Sequence, residues 1–395
     1  MSGHGAKESP AFAHKLERIE PFHVMRLLAE ARALEAAGRD IVHMEVGEPD
    51  FPCPQPIIEA GIRALQAGLT HYTPALGLPA LREAIAAYYE TRYGLAISPR
   101  RVVVTPGASG ALQLLSALLT DPQDEWLLAD PGYPCNRNLV ELQCGRPTRV
   151  AVGPESSFQL TAAQIDACWR AGQTRAVLVT TPANPTGGVL TAQALAAIHA
   201  AVRARGGHLV VDEIYQGLTY GAEDHTALAL GDEVFVVNSF SKYFGMTGWR
   251  LGWLVAPEAA IPALDKLAQN LFLAASTPAQ HAALAAFHPH TREILEARRE
   301  QFQARRDFLG TALRALGFAI PYWPEGAFYI YADVSASGLD SDTLATRLLH
   351  EAGVATTPGR DFGGQAAERY LRFAYTTDLE RLGTGVGRIR QWLEL

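Results

Sequence analysis

The residues able to do chemistry concentrate in Phe235 to Val255, FVVNSFSKYFGMTGWRLGWLV. Ser239, Ser241 and Arg250 are the side-chain types that hold a phosphate dianion, two hydroxyl donors and a planar guanidinium fork. Lys242 stands among them. A lone loop lysine is ordinarily solvated, but one fixed beside a phosphate site is a candidate for a Schiff base with an aldehyde cofactor. The apolar run Phe235 to Val237 precedes this stretch and Leu251 to Val255 ends it, so the spacing predicts two buried strands joined by a Gly/Ser-rich loop.

Other polar residues sit at the ends of apolar runs. Asp212 closes His-Leu-Val-Val-Asp, thirty residues before Lys242. A carboxylate at the end of a buried strand is costly unless paired with a cation, such as a protonated ring nitrogen; alone, it could merely cap a turn. In Thr181-Pro-Ala-Asn-Pro-Thr-Gly-Gly188, two prolines and two glycines fix a turn that presents the Asn184 amide. Pro106-Gly-Ala-Ser-Gly110 joins a strand to a helix start, where small residues let backbone N–H groups approach an anion. Tyr133 follows another strand, in Asp130-Pro-Gly-Tyr-Pro134, and could stack on a cofactor ring or belong to the core. Arg372, in Tyr-Leu-Arg-Phe-Ala-Tyr, is unusual in an apolar strand unless it meets an anion, whether ligand or inter-strand carboxylate.

These residues need a scaffold. From residue 102 onward short apolar runs (102–105, 126–129, 148–152, 176–181, 208–212, 234–238 and 251–255) alternate with helical patterns at 108–119, 161–171 and 191–205. This is an α/β domain with a mostly parallel sheet, in which ligands sit beyond the carboxyl ends of the strands. Upstream, the pattern predicts helices over 22–37, 57–67 and 79–93, and a strand over 41–46. A long helix at 290–316 leads to a smaller α+β region with strands at 328–332 and 370–376 and a helix at 341–352. The arginines of Arg298 to Arg306 read as a solvated helix face, and the first dozen residues as mobile. We expect three parts: an N-terminal segment, 1–50, belonging to the small domain; a large cofactor-binding domain, 51–288; and a small C-terminal domain, 289–395.

In this order, from Gly47 to Arg372, the motifs resemble those of the class I/II pyridoxal-phosphate aminotransferases of fold type I, the aspartate aminotransferase superfamily. The resemblance spans nearly the whole chain and implies that fold: a large domain with a mostly parallel sheet flanked by helices, plus a smaller α+β domain. It implies that Lys242 carries pyridoxal 5′-phosphate as an internal aldimine and then acts as general base. Asp212 would hold the ring nitrogen protonated, while Tyr215 and Asn184 would hydrogen-bond the ring's phenolic oxygen. Ala108, Ser109, Ser239, Ser241 and Arg250 would hold the phosphate, with Tyr133 against the ring. Arg372, with Asn184 and the backbone of Gly47, would clamp the substrate α-carboxylate. Tyr72 resembles a tyrosine that reaches the cofactor phosphate from a partner subunit, which implies a homodimer. The implied reaction is ping-pong transfer of an amino group from an L-amino acid to a 2-oxo acid, 2-oxoglutarate or pyruvate. In thermophilic-type aspartate aminotransferases a lysine stands where this chain has Ser109, which counts against a strict aspartate preference; an alanine, glutamate or broad neutral or aromatic donor, with 2-oxoglutarate as acceptor, is expected instead. Arg137 could bind an acidic side chain or simply be solvated.

Composition excludes several classes. The chain of 395 residues is 48% hydrophobic and 19% charged, with a formal net charge of −7 and no basic block to suit a nucleic acid. Its four cysteines lack metal-type spacing and read as thiols of a reducing compartment. No apolar run suggests a signal peptide or a membrane span, so a cytoplasmic location is expected. Three rivals remain: a C–S β-lyase on the same scaffold, a transcription regulator using the fold as a sensor, and a catalytically dead homologue. Only about twenty residues precede the first family-like helix, too few for a DNA-binding domain. The intact Lys242 argues against the dead homologue.

Overall fold

The computed structural model describes residues 12–394; the opening stretch read as mobile lies outside them. Helix α1 (His23–Ala36) leads into the two-residue strand β1 (Val42–His43), then α2 (Gln55–Gln66) and α3 (Pro79–Tyr93). The α/β layer follows as β2 (Val102–Thr105), α4 (Gly107–Leu119), β3 (Glu125–Asp130), α5 (Pro134–Leu142), β4 (Arg146–Ala151), α6 (Ala162–Cys168), β5 (Thr174–Thr180), α7 (Ala192–Ala204), β6 (His208–Asp212), β7 (Phe235–Ser239) and β8 (Gly252–Val255). Helices α8 (Ile261–Leu271), α9 (Thr277–Ala283) and the long α10 (Pro289–Ala315) connect to β9 (Tyr329–Asp333), α11 (Ser341–Arg347), β10 (Val354–Ala355), β11 (Thr357–Pro358), β12 (Tyr370–Ala374) and α12 (Leu379–Leu393).

Seven strands form the main sheet in the order β2-β8-β7-β6-β5-β3-β4. Its inner strands are mostly apolar because helices cover both faces, with Val103, Val177, Val210, Val236 and Leu254 fully buried, while the edge strand β4 carries Arg146 and Arg149 and is largely exposed. Only β8 runs against its neighbours, antiparallel to both β2 and β7. Register aligns the strand ends that matter: Thr180 with Asp212, Ser239 with Gly252, and Gly252 with Thr105. The carboxyl ends of β2, β5, β6 and β7 therefore share one edge, where ligands bind in open α/β sheets.

A second, antiparallel sheet, β11-β12-β9, lies with α10 and α12, and β1 pairs in parallel with β10. Here the structure corrects the sequence reading. The strand expected over 41–46 pairs as a ladder only at Val42–His43; beyond it, single bonds replace the ladder, with Met44 O accepting from Ala374 N (2.7 Å) and Val46 O from Thr376 Oγ1 (3.0 Å). The helix expected through residue 352 changes at Leu348 to a π-helical turn. Helix α12, with glycines at 383, 385 and 387, was not anticipated. Gly385 is required by close approach: a Cβ there would strike Met44 Cε. The face read as solvated is also corrected. Arg305 and Arg306 are only 4% and 6% exposed, Arg305 gripping Asp50 through two bonds (2.7 and 2.9 Å) and Arg306 donating to Pro324 O (2.9 Å).

Candidate active site

At the shared strand edge lies a cavity of about 330 Å³. It is lined by Gly47, Ala108, Ser109, Tyr133, Asn184, Asp212, Tyr215, Ser239, Ser241, Lys242, Arg250 and Arg372. Tyr72 does not line it; its side chain is 84% exposed, in the loop before α3.

One end of the cavity is a cradle of donors. Ser239 Oγ and Ser241 Oγ lie 3.0 Å apart, and Arg250 Nη1 reaches Ser241 Oγ at 3.5 Å. The first turn of α4, from Gly107, faces them with its unpaired N–H groups. Gly107 has φ +72°, and a Cβ there would stand 2.7 Å from Arg250 Nη2, so only glycine leaves the fork room. The hairpin of β7 and β8 delivers both serines and the arginine from one loop.

At the other end is a carboxylate that, among the described residues, has no ion-pair partner in contact, Lys242 acting on it only through space. Asp212 is 3% exposed, and among the described residues the one donor that reaches it is the Ile214 N–H, at 3.1 Å. Burial pushes its carboxyl up to about 7. Glu213 turns the other way, bonded by Thr226 Oγ1 and by the Ala227 N–H (2.6 Å). Lys242 lies between the two ends and donates to Gly47 O at 2.6 Å. Desolvation lowers its ammonium from 10.5 to about 8; nearby Glu48 opposes this shift, while Arg372 and Arg250 add to it. An amine whose ammonium gives up its proton more readily than a free lysine's, facing an anion cradle and a buried acid, is suited to carbonyl condensation.

Arg372 is 4% exposed, in the middle of β12. Its Nη1 donates to Asn184 Oδ1 at 2.9 Å and its Nη2 to Glu45 O and to Thr357 Oγ1 (3.3 Å), while Nε has no partner among the described residues. Tyr329 and Phe362 sandwich the guanidinium, 4.3 and 4.7 Å from their ring centres. The fork is thereby fixed in orientation, as carboxylate recognition requires. Tyr215 Oη lies 2.9 Å from Tyr329 Oη, and burial keeps both phenols protonated.

Sequence reasoning missed Tyr329, Phe362, Glu48 and Asp361, all of which line the cavity. Tyr329 had one available signal, a hydroxyl inside a strand read as core. Arg137 is not a free cation: it pairs with Glu20 at 2.9 Å and lines a smaller cavity together with Tyr133 and Asn184. Among the described residues no His/Cys/Asp/Glu group could hold a metal, and no helix is long and apolar enough to cross a membrane.

A parallel-sheet edge bearing a lysine, an anion cradle, a buried acid and an oriented arginine defines an α/β enzyme that condenses and orients a small carboxylate. The sequence matches the model of aminotransferase class I and II over residues 39–389. It is 36% identical to a valine–pyruvate aminotransferase of Mycobacterium tuberculosis over 380 residues, 95% of this chain and 97% of that protein. It is 34% identical to an aspartate aminotransferase of Geobacillus stearothermophilus, covering 97% of this chain and 98% of that one. A crystal structure of an aminotransferase from Mycobacterium tuberculosis superposes with a TM-score of 0.94 at 35% identity, covering 98% and 100% of the two chains. The chain belongs to the class I and II aminotransferase family and is an aminotransferase.

Proposed function

We propose that the protein is a pyridoxal-phosphate aminotransferase that moves the amino group of an L-amino acid to a 2-oxo acid by a ping-pong cycle. The observation that carries this reading is the convergence on one cavity of Lys242, the buried Asp212 carboxylate, the Ser239–Ser241–Arg250 cradle and the Arg372 fork. The fit to the cofactor is chemical. A phosphate would complete the cradle's donors, and a protonated ring nitrogen would neutralise Asp212. When bound, pyridoxal phosphate supplies an electron sink for the charge left as a proton departs the substrate α-carbon.

This chain's residues do the rest. The α4 N-terminus at Ala108 and Ser109, with Ser239, Ser241 and Arg250, fixes the phosphate. Asp212 keeps the ring nitrogen protonated, Tyr215 and Asn184 donate to the ring's phenolic oxygen, and Tyr133 flanks the ring. Arg372 and Asn184, beside the Gly47 backbone, hold the substrate carboxylate and so set which α-carbon bond faces Lys242. Lys242, its ammonium weakened by burial, takes the α-proton and returns it.

We further propose a homodimer in which Tyr72 completes the partner's phosphate site. The domain division is 1–50 with 289–395 around 51–288, supported by the β1–β10 pairing. A cytoplasmic location accords with four unpaired cysteines.

The test is the absorbance spectrum of the purified protein with pyridoxal phosphate, before and after single amino acids are added. Conversion of the visible band to that of the amino form, reversed by a 2-oxo acid, is expected. Steady release of pyruvate and ammonia without that conversion would indicate a lyase. No cofactor band would overturn the proposal.

A further inference from the structure

We infer that the side-chain subsite of this aminotransferase selects neutral, apolar side chains in both half-reactions, on the amino acid and on the 2-oxo acid alike. The inference rests on the transamination reading above and adds the substrate class.

The outer wall of the cavity is the start of α1. Phe22, Val24, Met25 and Leu28 face it, and Met25 is 57% exposed despite being apolar. Its side chain lacks cover that a hydrocarbon substrate would provide. The wall is held in place at two ends. The Asp361 carboxylate accepts from the backbone N–H groups of His23 (2.8 Å) and Val24 (3.2 Å), capping the helix. On the other side Glu20 pairs with Arg137 and Arg18 with Glu141 (2.6 Å), tying the preceding segment to α5. Phe22 then stacks on Tyr133, ring centres 6.2 Å apart.

Charge gives the same answer. Among the described residues the cations lining the cavity are Lys242, Arg250 and Arg372, each with a task already, and three acids, Asp212, Glu48 and Asp361, line it beside them. Two further guanidiniums line the smaller cavity together with Tyr133, and both are engaged: Arg137 by Glu20 at 2.9 Å, and Arg149 by Asp130 at 3.8 Å. A second substrate carboxylate would leave water to face Phe22, Val24 and Leu28 without a counter-charge, with Glu48 repelling it at the lip. Both half-reactions use this one subsite, so the acceptor is subject to the same exclusion. A neutral 2-oxo acid such as pyruvate is therefore favoured over 2-oxoglutarate.

The experiment has a kinetic arm and a binding arm. In single turnovers of the cofactor-loaded protein, kcat/KM for L-leucine should exceed that for L-aspartate by roughly tenfold to a hundredfold. In thermal-shift titrations, which need no turnover, 4-methylpentanoate should bind more tightly than succinate. Glu20→Gln, which releases Arg137, should narrow both gaps several-fold, and Glu20→Gln with Arg137→Gln should restore them. Equal or better use of aspartate and succinate by the wild type would overturn the inference, whether the cation comes from Arg137 or from a second copy of the chain. A gap that Glu20→Gln leaves unchanged would overturn the role given to the Glu20–Arg137 pair. If no amino acid reacts at all, the transamination reading fails, while 4-methylpentanoate against succinate still decides the subsite.

Discussion

At Lys242 burial and charge oppose one another. Desolvation and two neighbouring guanidiniums favour the neutral amine, Glu48 and Asp212 the ammonium, and the outcome is about 8. The rate at which the cofactor-free protein combines with pyridoxal phosphate should therefore climb towards pH 8 and level off just above it; a rise continuing to pH 10 would contradict this. Lys242→Ala should abolish the covalent absorbance and lower turnover by about 10³-fold or more. Asp212 has the opposite sign. With its carboxyl raised to about 7, the folded cofactor-free protein holds a proton that the unfolded chain, at 3.8, has released. Between those values stability falls as pH rises. Asp212→Asn should flatten that fall, so that the melting temperatures of the cofactor-free variant at pH 5 and 7.5 differ less than those of the wild type. Both residues were legible in the sequence, because a polar side chain at the end of a buried run needs a reason. Tyr329 was not: an aromatic inside an apolar strand reads as core, and its bond to Tyr215 exists only once β9 meets the loop after β6.

At the level of elements, one hairpin carries the chemistry. β7 runs to the cavity and β8 runs back, so Ser239, Ser241, Lys242 and Arg250 come from a single connection. The fork of Arg250 needs the space left by Gly107, at φ +72°. Gly107→Ala should weaken pyridoxal-phosphate binding by about tenfold, through a displaced guanidinium and a left-handed residue bearing a Cβ, a strain of about 1–2 kcal/mol. A fluorescence titration of the cofactor would measure it. Arg305 anchors the other side of the site: its two bonds to Asp50 hold the loop that follows Gly47 against α10. Arg305→Ala should cost roughly 2–3 kcal/mol in denaturant unfolding. The sheet and its flanking helices were readable from apolar runs without alternation. Helix α12 and the buried arginines of α10 were not, because what decides them is a neighbour distant in sequence: Met44 for Gly385, and Asp50 for Arg305.

For the whole molecule, the exposed Tyr72 is the residue that a single chain leaves without a role. If it completes the partner's site, Tyr72→Ala and Lys242→Ala proteins should each be impaired, yet regain activity when unfolded, mixed and refolded together. A mixed pair carries one intact site, so about a quarter of all sites should recover. No recovery would separate Tyr72 from the partner's cavity. The pairing of Val42 with Val354 has a further meaning for a chain made from its amino end. By the time Val255 has left the ribosome, every strand of the main sheet, the cradle and Lys242 have been synthesised, while α1 and β1 still wait for partners that come about a hundred residues after Val255. During that interval the nascent protein can build the cofactor half of its cavity but has no Arg372 with which to hold a substrate. The substrate clamp and the apolar wall are thus the last parts of the enzyme to assemble, and a chain released early would be a cofactor holder without a reaction.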